Sequence, residues 1–142
     1  MTGNGGEGRQ DRGSVTAFTA IIVVGLLACA GLVLDGGLQL AAKVSAVDDA
    51  QEAARTGAQQ LDLAAYRGTG TVRLMPDQAA AAARSYLAGK GYTSTVTISG
   101  DTVTVRVAAT RPTQLLGLIG VGSLHVTGSA TAQALHGIDG PG

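Results

Sequence analysis

Catalysis and metal binding need reactive side chains in pairs or clusters, and this chain offers few. The histidines are His125 and His136; neither lies near a cysteine, and no pair has metal-ligand spacing. Cys29 is the sole cysteine and sits inside an apolar run, so no disulfide closes within one chain. The only glutamates are Glu7, in a Gly-rich head, and Glu52, in a helical pattern. Asp48 and Asp49 are adjacent, so on a helix they point in different directions and cannot face each other as acid and base. Gly68-Thr69-Gly70 and Gly120-Val121-Gly122 lack the strand–turn–helix setting and the lysine of a phosphate loop. Ser45, Ser85, Ser94, Ser99, Ser123 and Ser129 have no motif around them. The sequence thus predicts no catalytic, cofactor or metal residue, no small-molecule substrate and no enzyme.

Ten basic and ten acidic residues cancel, so no net charge attracts nucleic acid. The aromatics are Phe18, Tyr66, Tyr86 and Tyr92, with no tryptophan, which removes the stacking platforms that single strands use. Ala and Gly dominate, so any core must be built from small residues.

What must position the rest is the stretch 13–34, flanked by Arg12 and Asp35, with no ionisable group except the Cys29 thiol. As a helix it reaches roughly 33 Å, enough to cross a hydrocarbon core of about 30 Å. It reads as a single membrane span with Asp35 marking the exit. Ala17, Ala20, Gly25, Ala28 and Gly31 would let other helices approach closely, although no GxxxG is present. Residues 1–12 read as a disordered head. Arg9 and Arg12 favour a cytoplasmic N-terminus, with everything after Asp35 outside. Two processing readings compete. Ala28-Cys29-Ala30 fits a signal-peptidase site, and Leu26-Leu27-Ala28-Cys29 fits a lipobox. Either would make the product a secreted or lipid-anchored binding module cleaved near Cys29. Against both, the apolar run continues through Leu34.

Residues 35–66 read as an amphipathic helix, continuing from the span or jointed at Gly36-Gly37. Its stripe is Leu40, Val44, Val47, Ala54, Ala58, Leu61 and Ala65, interrupted by Gln51. That stripe packs either on the chain's own sheet or on a neighbouring subunit. Residues 67–136 read as a small outer domain. Arg67–Thr71 is a loop, and Pro76-Asp77 opens a second helix that Gly89-Lys90-Gly91 stops. Thr93–Ser99 and Thr102–Ala109 alternate around Gly100-Asp101, which predicts a hairpin. Thr113–Gly122 is an apolar, Gly-broken segment pressed on the core, dipping into lipid or meeting a partner. Ser123–Ala134 predicts a third strand with one face of small residues, a seat for a helix. Residues 137–142 form a frayed tail. The fold class is α+β: an N-terminal membrane helix, an amphipathic helix, and a second helix on a three-stranded antiparallel sheet.

This order of parts resembles the TadE/TadG-like proteins of bacterial Tad (Flp, type IVc) pilus systems. The likeness is carried by Arg12-Gly13-Ser14-Val15, by Leu34-Asp35-Gly36-Gly37 closing the span, and by Val47-Asp48-Asp49-Ala50-Gln51-Glu52-Ala53-Ala54. Pro112, Leu115-Leu116-Gly117 and Val126–Ala132 resemble the close of their outer domain. The resemblance implies a pilin-like fold and a pilus-assembly role in the bacterial cell membrane. The implied partners are other Tad pilins or pseudopilins, inner-membrane platform proteins, or a second copy of the chain. A prepilin-type processing site would fall at Gly13-Ser14. Processed members carry a glutamate five places after the cleaved glycine; here that place is Phe18, nearer the uncleaved TadG-like branch.

Overall fold

The structure, a computed structural model, describes residues 8–134, with side chains from residue 13. Residues 1–7, His136 and the expected tail 137–142 lie outside the described residues. One helix dominates: α1 runs unbroken from Gly8 to Ala58, and its N-terminal part is long and apolar enough to cross a membrane. Gly36 and Gly37 are helical within it, so the span and the second helix are continuous. The helix starts upstream of the expected Gly13 and ends before the expected residue 66.

The early end has a local cause. Backbone groups just past Ala58 pair with a later segment: Met75 N donates to Gln60 O at 3.0 Å and Asp62 N to Arg73 O at 2.8 Å. Asp62 then opens α2 (Leu63–Thr69), its carboxylate accepting from the amides of Ala64 and Ala65. Two donors that a new helix leaves unpaired are thereby satisfied. Leu61 and Ala65 are therefore off α1, and part of the loop expected at 67–71 is helix. α3 spans Pro76–Leu87 with proline in its first turn and Asp77 beside it, as the sequence predicts.

Three strands follow: β1 (Thr93–Ser99), β2 (Thr102–Pro112) and β3 (Ser123–Gln133), antiparallel in the order β1-β2-β3. Gly100 takes a φ of 61° in the tight β1–β2 turn. β2 runs on past Ala109 to Pro112, which pairs with Ser123 at the last rung. Val103, Val105 and Val107 of β2 form the centre of the core, with Ala79, Ala83 and Leu87 of α3 over them. α1 and α3 cover this one face of the sheet.

The α1 stripe is the main correction. Leu40 and Val44 are 66% and 52% exposed, while the buried face of α1 is Ala46, Ala50, Ala53, Ala54, Gly57 and Ala58. The reason lies in the seat. β3 offers Gly128, Ala130 and Ala132 to the helix, and at Gly128 the two backbones nearly touch. A Cβ built there would lie 2.5 Å from both the carbonyl carbon and oxygen of Ala46. At that spacing only Ala and Gly fit on the helix side, so the larger residues of α1 turn outward. The small-residue face of β3 is, as expected, the helix seat.

Candidate functional site

Two polar constellations join α1 to the rest of the chain. The first is at Asp35. After a stretch, 13–34, with no charged side chain, the helix presents the Asp35 carboxylate to the β2–β3 loop, where a single 3₁₀ turn (Leu116–Ile119) begins. The amides of Gln114, Leu115 and Leu116 donate to the Asp35 carboxylate at 3.0, 2.9 and 2.5 Å. Asp35 is 1% exposed. Three converging N–H groups suit an anion, since a carboxylate is acceptor-only. One turn earlier on the same face, Leu115 packs on Gly31: a Cβ there would meet Leu115 Cβ and Cδ1 at 3.3 Å. Further bonds close the loop on itself. Thr113 N donates to Gly122 O, Val121 N to Leu116 O, and the Thr113 hydroxyl to Val121 O.

The second constellation is at Asp49. Lys90, just past α3, reaches it at 2.8 Å, and the Tyr92 hydroxyl donates at 3.0 Å. The Lys90 ammonium also lies 4.6 Å from the Tyr86 ring centre, a cation–π contact. The Lys90 bond, above all, holds the Asp49 carboxyl below its ordinary range, and it raises the Lys90 ammonium. Burial first, then the bond to Asp49, pushes the Tyr92 phenol up. For the acid, whose pKa falls on folding, stabilisation is present above about pH 4 and is lost as pH drops through the folded value. For Lys90 and Tyr92, whose pKa values rise, it is present below about pH 10 and is lost as pH climbs through theirs. Melting temperature should therefore show a plateau between these limits. Because this pair is partly exposed, Asp49→Asn should lower Tm at pH 7 by only roughly 2–6 °C. The same change should flatten the acid-side fall, as thermal circular dichroism across pH will read. Between these two points on α1, Lys43 donates to the carbonyl and hydroxyl of Thr127, fixing the helix to β3.

The residues first singled out are scattered. Gly13, Ser14 and Phe18 are exposed within helical α1. Ala17, Ala20, Gly25 and Ala28 are exposed too, whereas Gly31 is buried under the chain's own Leu115. Cys29 is a free, exposed thiol. His125 Nδ1 lies 3.1 Å from the Thr110 hydroxyl on the sheet's outer face, and Glu52 pairs with Arg55. Among the described residues no group of three His, Cys, Asp or Glu is placed to hold a metal ion. Sequence reasoning marked Asp35 as the exit from the span but missed its loop partners. The available signal was the uncharged, apolar segment 112–124, long enough to fold back on the helix.

The architecture thus defines a class: a small α+β head built on the distal half of one long helix whose stretch 13–34 bears no charged side chain. Comparison with known protein families, with characterised proteins and with solved structures finds no match.

Proposed function

We propose that this chain is a membrane-anchored component of a Tad-type (Flp) pilus or secretion apparatus, a minor pilin, pseudopilin or assembly subunit. It works by helix packing and docking rather than by catalysis. In this reading residues 13–34 make a single pass through the bacterial cell membrane, the N-terminus is cytoplasmic, and the head lies outside. The observation that carries the proposal is the uncovered side of α1. Ile22, Leu26, Val33, Leu40 and Val44 are all exposed and recur at steps of four and seven along one continuous helix. Below Asp35 lipid covers such a stripe. Leu40 and Val44 lie above it, where another helix of the assembly gives the cover they lack in the monomer. The partners are other Tad pilins or pseudopilins, inner-membrane platform proteins, or a second copy.

A photo-crosslinking amino acid placed at Val44 in the native host tests this. The expected result is a light-dependent adduct containing another pilus subunit or a second copy, with no adduct from the same probe at Arg106 on the sheet's outer face. No adduct at Val44, together with unchanged surface pili and secretion when the chain is deleted, would overturn the proposal.

A further inference from the structure

We propose that the β2–β3 loop is a second membrane contact, with Leu118 and Ile119 inserted among the acyl chains of the outer leaflet. The inference rests on reading residues 13–34 as the membrane span. Its geometric basis is where the loop lies. The loop does not stay beside the head. It folds down along α1, past Asp35: Leu115 packs on Gly31, and Leu118 and Ile119 wall a groove whose helix side is Val24, Leu27 and Ala28. Ala28 precedes Asp35 by two turns, so the loop tip sits about 10 Å below the exit. Whatever slab of apolar solvent surrounds that part of the helix also surrounds the loop.

The loop's chemistry agrees with that depth. Leu118 and Ile119 are 84% and 76% exposed, the largest fractions of any leucine or isoleucine described. No ionisable side chain occurs between Arg111 and His125. Irregular backbone is tolerated in lipid only where its polar groups are paired, and here the amides of Thr113, Leu118, Gly120 and Val121 donate to carbonyls within the loop while Asp35 takes the amides of 114–116. The same three bonds let a carboxylate sit at the hydrocarbon edge. Between the loop and α1 lies a groove of about 430 Å³ lined by Val24, Leu27, Leu32, Leu115, Leu118 and Ile119, apolar and open, the shape a lipid tail fills.

The chain has no tryptophan, so a single one reports without background. Ile119→Trp and, separately, Leu26→Trp are placed in the full-length chain and reconstituted in phosphatidylcholine vesicles with or without bromine on the acyl chains. Leu26 faces away from the loop and reports the span alone. The expected result is blue-shifted emission from both, quenched by brominated lipid and spared by aqueous iodide. Lipid quenching at 26 with iodide quenching at 119 would place the loop in water and overturn the inference while leaving the span intact. Blue-shifted emission at 119 that neither quencher touches would mean protein covers the loop, which also overturns it. Absence of lipid quenching at both positions would remove the span and the inference together.

Discussion

Gly128→Ala should destabilise the head by about 3 kcal/mol, near the upper end of what overpacking a filled core costs. Strand propensity alone gives the opposite sign, since replacing a strand glycine by alanine ordinarily gains about 0.5–1 kcal/mol. The clash decides. The added carbon would lie 2.5 Å from the Ala46 carbonyl and 2.8 Å from Val47 N, and these are helix backbone atoms with no rotamer by which to move aside. Relief requires all of α1 to lift from β3, opening voids beside Ala50 and Ala130. For a head of this size Tm should fall by roughly 10–20 °C in detergent, followed by circular dichroism. Ser129→Ala, the exposed neighbour on the same strand, should leave Tm nearly unchanged. An equal or higher Tm for Gly128→Ala would mean that helix and strand are not in contact there.

Asp35→Ala should release the β2–β3 loop from α1. Three backbone donors lose their acceptor at once, in a segment whose other neighbours are apolar. Unpaired buried donors carry a desolvation penalty, so the loop swings out to find water. Amide exchange at Gln114, Leu115 and Leu116 should accelerate by on the order of a hundredfold, while amides of β1 and α3 keep their protection. Asp35→Asn should fall between, because its amide oxygen still accepts but its NH₂ group confronts N–H donors. Hydrogen exchange with mass spectrometry resolves the two regions. Equal protection in Asp35→Ala and the parent chain would show that the carboxylate does not hold the loop.

Much of this architecture was legible from the residues. The hairpin follows from strict alternation across Thr93–Ser99 and Thr102–Ala109 around a Gly-first turn, and such a pattern is local. The helix seat on β3 follows from the small side chains at Gly128, Ala130 and Ala132. The buried side of α1 was not legible in the same way. Counting apolar residues at helical spacing selects by hydrophobicity, so Leu40 and Val44 outweighed Ala46 and Ala50. Packing selects by fit, and a seat this shallow admits only alanine and glycine. The end of α1 at Ala58 was missed because Asp62 was not weighed as a cap, although it stands just before Leu63-Ala64-Ala65. The Asp35 bonds join residues about eighty positions apart, and no window of the sequence contains both ends.

The Gly36-Gly37 pair is bridged from both sides. Below it the loop grips Gly31 and Asp35, and above it β3 holds Ala46. The loop therefore acts as a splint across the weakest point of the rod, and shaft and head move as one lever. From Asp35 to Ala58 the arm is about 35 Å long, so a 10° change in tilt carries the far end of the helix roughly 6 Å sideways. Cutting the splint, as in Asp35→Ala, would turn the glycine pair into a hinge and uncouple that stroke.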